Sequence, residues 1–371
     1  MTDSLTNSPP SHVDAAVGGR RSVKAWLGTF IQVGLTVALL TWLFSDPAVR
    51  EGITRTLTQA NLGWLLVGVG LGAVWISAAA CRWQIFLRIQ GIRISFRRST
   101  GIYLIGMFFT LFLPGLIGGE AVRMVYICRE RPKQKTAAAL SVMMDHMAGM
   151  VAMLATTAAI VAFRYEWLAQ SPVGIGGTAS VLVGLSFAVL GLFAMLIVSK
   201  RRLDRGLPEF VPARDKLNAL LAAFTLFLTQ WRWSLAGIAL SFVTLHGYFA
   251  VFYAAGRAFN APASFIDVFS VMPLIDVASA LPISISGLGV REALLENMLH
   301  AMADVPAEAA VLIGLGGFGC WAAWCIVGGL IFACYRPSRE ADTLSLRELL
   351  RSSRNVQSNV ETIASSPHHE V

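Results

Sequence analysis

Two short stretches of this chain carry residue types that could hold an anion. Residues 113–123 read LPGLIGGEAVR and residues 281–291 read LPISISGLGVR. They share L-P-x-x-I-x-G-x-x-V-R without a gap, so Pro114 aligns with Pro282, Ile117 with Ile285, Gly119 with Gly287 and Arg123 with Arg291. Proline removes a helical N–H and clashes with the preceding turn, and glycine permits a tight reversal. Pro114, Gly115, Gly118 and Gly119 in the first copy, and Pro282, Gly287 and Gly289 in the second, therefore mark helix breaks. A helix that restarts after such a break begins with unpaired N–H groups and the positive end of its dipole, which favours an anion such as phosphate. An arginine one turn further on adds a charge-assisted, often bidentate contact. Carboxylates stand close by: Glu120 and Glu292 beside the breaks, Asp145 and Asp276 in apolar runs. The candidate substrate-binding residues are Glu120, Arg123, Asp145, Asp276, Arg291 and Glu292. Glu120 also suits a plain first-turn dipole partner with Arg123 paired to it at i, i+3. Asp145 is a candidate counter-ion of Arg123 or Arg291. His146 and His246 read as packed or interfacial histidines.

The elements that position these residues are membrane helices. Of the 371 residues 55% are hydrophobic and only 14% charged, against nearer a quarter charged in soluble domains. Runs of about 20 uncharged residues match a ~30 Å hydrocarbon core at 1.5 Å per residue. Such runs lie at 25–44, 62–81, 173–199, 234–256 and 309–335, and 136–163 is interrupted only by Asp145–His146. A spanning β-barrel would show short alternating segments instead. The first run is too long for a signal-peptide core and reads as an uncleaved anchor. With the N-terminus in the cytoplasm, only Arg50, Arg55, Arg164, Arg257 and Arg291 of the 30 lysines and arginines fall outside cytoplasmic segments. That asymmetry is the positive-inside signature. It explains the net charge of +8 without nucleic acid.

The charge topology closes only if 99–128 enters and leaves on the cytoplasmic side and 264–303 enters and leaves on the outer side. The expected fold is thus an all-α polytopic membrane protein with six full spans and two re-entrant, Pro/Gly-broken hairpins. Three full spans separate the hairpins, so they form an inverted repeat. Residues 214–231 predict an interfacial amphipathic helix. The expected organisation is a disordered cytoplasmic N-terminus over 1–24, a transmembrane domain over 25–335 and a cytoplasmic tail over 336–371. Ionisable residues at membrane depth cost roughly 2.5–3.5 kcal/mol each on insertion scales. Their clustering in the two hairpins and the third span points to one shared polar cavity. The glycines at 68–72 and 314–319 read as close helix packing, and Trp26, Trp42, Trp64, Trp83, Trp231 and Trp233 as interfacial anchors. The five cysteines lack metal-ligand spacing and read as apolar packing residues. No metal or cofactor is expected.

At these motifs the chain resembles the transmembrane family shared with the membrane half of bacterial phosphatidylglycerol lysyltransferases. The carriers are FLPGLIGGEAVR, then SVMMDHMAG, then SISGLGVREALL, and the likeness extends over about 25–335. The family pattern has a Pro-Gly-Gly-acid-Arg element, an Asp-Arg dipeptide and Gly-x-Gly-x-Arg-Glu. Glu120 and Asp145 hold the acidic positions, Gly287, Gly289, Arg291 and Glu292 match the third element, and His146 stands where the family has arginine.

The resemblance implies a flippase- or scramblase-like lipid transporter in a bacterial inner membrane, with both termini cytoplasmic. The lipid partner is a phospholipid or a polyprenyl- or hopanoid-linked lipid. The chain carries no sign of the soluble aminoacyltransferase domain of bifunctional relatives and is not expected to be an enzyme. It has no Asp-rich metal motif, no Ser/His/Asp arrangement and no nucleotide-binding loop. Two alternatives stay open: a secondary transporter for a small anion, and a non-catalytic partner of a lipid or polyprenyl-glycan biosynthetic enzyme.

Overall fold

The computed structural model describes residues 47–111, 117–179, 226–279 and 284–335, with the single positions 34, 37, 41 and 183. Most of the expected first span, most of the run 173–199, most of the interfacial helix 214–231 and both termini lie outside the described residues. So do Pro114, Gly115 and Pro282. Among the described residues every regular element is helical. Helix α1 covers Pro47–Thr58, α2 Leu62–Ile89, α3 Phe96–Thr110, α4 Ile117–Glu130, α5 Lys135–Leu168, α6 Trp231–Ala258, α7 Phe265–Ser279, α8 Val290–Ala303 and α9 Ala307–Cys334. Four of them, α2, α5 with its leading turn, α6 and α9, are long and apolar enough to cross a membrane.

α2 and α6 pack along each other as the central pair, and α9 lies against both. Glycines let these backbones approach closely. A Cβ on Gly72 would lie 2.6 Å from Nε1 of Trp324, and one on Gly68 would lie 3.0 Å from the Cys320 sulfur. Gly316 and Gly317 likewise receive the rings of Phe259 and Phe252. The Trp324 indole also donates to the Val69 carbonyl at 2.9 Å. These contacts are the helix packing expected of the two glycine runs, since small residues replace the hydrophobic drive that lipid cannot supply.

Two helical hairpins complete the described fold, α3 with α4 and α7 with α8. Their helices have 15 and 14 residues in the first and 15 and 14 in the second. At 1.5 Å per residue each reaches about 21–23 Å, short of a ~30 Å hydrocarbon core. The first hairpin closes on Gly106 and Gly119. A Cβ on Gly119 would sit 2.1 Å from Thr110 Oγ1 and 2.5 Å from the Gly106 carbonyl oxygen. On its outer side α3 packs against α9, where a Cβ on Gly328 would meet the Leu104 carbonyl oxygen at 2.1 Å.

A polar clasp holds each hairpin where its first helix begins. Arg98 of α3 donates to Glu130 at 2.9 Å, and the Tyr335 hydroxyl at the end of α9 donates to the same carboxylate oxygen. Near the end of α5, Arg164 breaks helical geometry (φ −130°, ψ 24°) and donates to Asp267 and Ser270 of α7, each at 3.0 Å. Its guanidinium lies 3.8 Å from the Trp167 ring centre.

Adding a methyl group where a backbone carbonyl already touches forces the helices apart, at about 1–3 kcal/mol. Gly119→Ala and Gly328→Ala are expected to lower the thermal unfolding midpoint in detergent. Gly70→Ala, where nothing lies within 4 Å, is expected to leave it unchanged.

Candidate substrate site

The site is built around one carboxylate. Asp145 lies in α5 and is 1% exposed. Its Oδ1 accepts from Arg82 Nε of α2 at 2.7 Å, and its Oδ2 accepts from Arg123 Nη2 of α4 at 2.9 Å. Arg82 also donates through Nη1 to Ser241 Oγ of α6 at 3.2 Å. Three helices therefore meet at one acid, and Arg82 ties in a fourth. The Arg123 guanidinium is held between two rings, 4.5 Å from the centre of Trp83 and 4.5 Å from that of Tyr103. Each such stack adds roughly 0.5–2 kcal/mol, more when water is excluded. Trp83 is fully buried, and its indole N–H donates to Ser141 Oγ at 3.3 Å, one turn before Asp145.

Glu120 and His146 form an adjoining pair. His146 Nδ1 lies 2.6 Å from Glu120 Oε1, and the two side chains are 30% and 26% exposed. The pair ties the first turn of α4 to α5 beside the buried network.

The second hairpin carries a looser cluster. Arg291 approaches Asp276 Oδ1 at 3.8 Å and the Tyr248 hydroxyl at 3.4 Å. Its guanidinium lies 5.4 Å from the centre of the Phe252 ring. Arg291 Nε has no hydrogen-bond partner among the described residues. Glu292 accepts the Gly289 N–H at 2.6 Å through Oε2 and is fully buried, so one of its oxygens caps the start of α8. The backbone before α8 turns through left-handed geometry at Ser286 (φ 51°), Gly287 (φ 79°) and Gly289 (φ 83°). For serine that conformation costs of order 1–3 kcal/mol. Ser286 is held there by donating to the Thr110 carbonyl at 3.1 Å. That bond joins the second helix break to the end of α3, so the two hairpins touch at their tips.

The structure thus brings Glu120, Arg123 and Asp145 together, and Asp276, Arg291 and Glu292 into a second cluster. Several pairings differ from the sequence expectation. Arg123 pairs with Asp145, one of the two counter-ion pairings the sequence offered, and not with Glu120, because the rings of Trp83 and Tyr103 hold the guanidinium towards α5. Asp145 serves Arg123 and Arg82 rather than Arg291. His146 is not merely packed, since it holds Glu120. Trp83 stands deep in the protein and is no interfacial anchor. His246 is packed, among Phe242, Phe249 and Phe269. Arg82 was counted as a cytoplasmic charge and is the residue that sequence reasoning missed. The signal was present: Trp83, Ile85, Phe86, Leu87 and Ile89 continue the apolar run beyond it. Among the described residues no three His, Cys, Asp or Glu side chains meet as a metal site.

A bundle of membrane-crossing helices with ion pairs buried among them defines a multi-pass membrane protein. The chain belongs to the lysylphosphatidylglycerol synthase transmembrane-region family, whose model matches residues 29–340. It is also 30% identical over 109 residues to a UPF0104 membrane protein of Pyrococcus horikoshii. That match covers 28% of this chain and 30% of the relative, so it spans less than a third of the relative's length.

Removing one member of a buried ion pair strands its partner and costs about 3–5 kcal/mol. Asp145→Asn, which strands two guanidiniums, is expected to cost at least that much. Combined with Arg82→Ala it should be clearly non-additive, with a coupling of about 0.5–3 kcal/mol. Thermal unfolding of the two single variants and the double variant in detergent measures both values.

Proposed function

We propose that the protein moves a phosphate-bearing lipid headgroup across the membrane, in the manner of a flippase or scramblase, while the acyl chains stay in the bilayer. The hairpins are re-entrant, the two halves form an inverted repeat, and the headgroup passes between them. The observation that carries this reading is a repeated stack. Arg123 lies over Trp83, 21 residues after Leu62 begins α2, and Arg291 lies over Phe252, 21 residues after Trp231 begins α6. The same arginine of the shared motif meets an aromatic ring at the same place on the leading helix of each half.

The order of elements supports the reading further. A span of 28 residues, short helices of 15 and 14, and another span occur as α2–α5 and again as α6–α9. Packing repeats as well: α3 lies on α9 and α7 on α5, while α2 and α6 pair at the centre. Intramembrane arginines at helix starts suit an anionic headgroup.

The two arginines would divide the work. Arg123 is committed to Asp145 and two rings and anchors the first hairpin. Arg123 and Arg291 both keep an Nε without a hydrogen-bond partner among the described residues, but Arg291 has its acid at 3.8 Å rather than 2.9 Å, so it is the arm that meets the phosphate. On this reading residues 25–335 are the transport domain, set in a bacterial plasma membrane with both termini cytoplasmic. No chemical step on the lipid is needed, and a lipid-biosynthetic enzyme is a natural partner to supply the substrate.

The test uses liposomes with fluorescent phospholipid in both leaflets and external dithionite. Reconstituted protein is expected to expose the inner-leaflet label faster than protein-free vesicles, and Arg291→Ala to return the rate to the protein-free value while remaining folded. Full activity in Arg291→Ala would sink the mechanism. Uptake of inorganic phosphate without faster bleaching would instead identify a carrier for a small soluble anion.

A further inference from the structure

We infer that His146 is a proton-binding site, and that its proton sets the charge of the Arg123–Asp145 cluster that the anion passes on its way to Arg291. The inference rests on the proposed transport reading for its consequence and on the Glu120–His146 pair for its chemistry.

The charge of the first cluster is finely balanced. Arg82 and Arg123 carry two permanent positive charges, since guanidinium does not lose its proton in proteins. Asp145 and Glu120 carry two negative charges. These four groups cancel, so the charge of the cluster is that of His146. Neutral histidine leaves it at zero, and the imidazolium makes it positive.

Geometry fixes which nitrogen acts. Nδ1 lies 2.6 Å from Glu120 Oε1. Towards an ionised carboxylate it must be the donor, because both partners cannot accept. Nε2 is therefore the nitrogen that takes up and gives back the proton. The pair bond survives in both states, so protonation changes charge without dismantling the hairpin. The pair is not sealed in the core: the His146 side chain is 30% exposed and that of Glu120 26%.

No neighbouring group can play this part. Asp145 is buried and holds two guanidiniums. The ionisable groups around His146 are Glu120 and Arg123 on α4, Asp145 on α5 itself, Arg82 on α2 and Tyr103 on α3. From α7, Asp267 pairs with Arg164 and Asp276 faces Arg291. On α6, His246 points Nδ1 at the Phe242 carbonyl of its own helix, and on α8 His300 points Nδ1 at the Val305 carbonyl. His146 is the histidine that faces a carboxylate among the described residues.

A positive charge that appears only with the proton attracts an anionic headgroup only then. Linkage is reciprocal, so the anion must also favour the proton. The anion and one proton would bind together and leave together.

Two measurements test this. In the dithionite assay the wild-type bleaching rate is expected to fall about tenfold from pH ~5.5 to pH ~8.5, the range in which histidine loses its charge. His146→Arg, a permanent cation, should stay fast across that range. His146→Gln, permanently neutral, should stay slow. A wild-type pH profile in His146→Gln overturns the inference. The second measurement needs no transport. Phosphatidylglycerol added to purified protein in weakly buffered detergent should draw about one proton from solution per protein, read with an indicator dye. Phosphatidylcholine should draw none, and neither should His146→Arg with either lipid. Proton uptake without accelerated bleaching would uphold the His146 site and reject lipid transport. No uptake in the wild type overturns the inference directly.

Discussion

A charge placed at membrane depth must find its counter-charge within the same protein, and in this chain that demand converges on Asp145. No lipid chain can solvate a guanidinium, and desolvating one costs several kcal/mol even after relaxation. Arg82 and Arg123 come from different helices and meet at the two oxygens of one carboxylate. The pairing fixes α2 and α4 against α5, and the Arg82–Ser241 bond extends it to α6. The short hairpin helix α4 thus has a defined place although it cannot cross the membrane by itself. The glycine contacts around it are close because the electrostatic anchor leaves no slack. Trp83 and Tyr103 complete the seal, covering the faces of Arg123 that hydrogen bonds cannot reach.

Much of this was legible in the sequence. The lengths of the apolar runs announced membrane helices, and four of the six expected spans fall on described helices of sufficient length. The Pro/Gly motifs announced the hairpins, but not every glycine in them breaks a helix: Gly118 and Gly119, expected at the break, lie inside the first turn of α4, where Gly119 packs against Gly106 and Thr110. The partners of the ions were not legible. Asp145 lies 63 residues from Arg82 and 22 from Arg123. The apolar run continuing past Arg82 marks it as lying inside a span, but nothing local in sequence names its partner. Glu292 carries a second role that the sequence did not name. Three residues after the break at Gly289, its Oε2 is taken by the N–H that the break leaves open, a capping role beside the binding role the sequence suggests, while its buried Oε1 keeps no hydrogen-bond partner among the described residues.

The two clasps also escape sequence reading, though they occupy matching places. One ties the start of α3, through Arg98 and Glu130, to the end of α9 at Tyr335. The other ties the start of α7, through Asp267, to the distorted end of α5 at Arg164. The partners differ and the architecture is the same: the hairpin of one half is held by the last span of the other. Neither half is then a free-standing unit, and any relative movement of the halves must pass through these four ends.

The arginines are repeated between the halves and their acids are not. Arg123 has Asp145, supplied by a long span, at hydrogen-bonding distance; Arg291 has Asp276, supplied by its own hairpin, at 3.8 Å. Two halves with equal cations and unequal counter-ions cannot trade places at equal free energy. On the proposed transport reading, a rocking cycle between them has a resting face, open to one leaflet for most of the time even when no gradient acts. Lipid arriving from the other leaflet would then meet a closed door more often and bind with a weaker apparent affinity, in proportion to the smaller population of the state that can receive it.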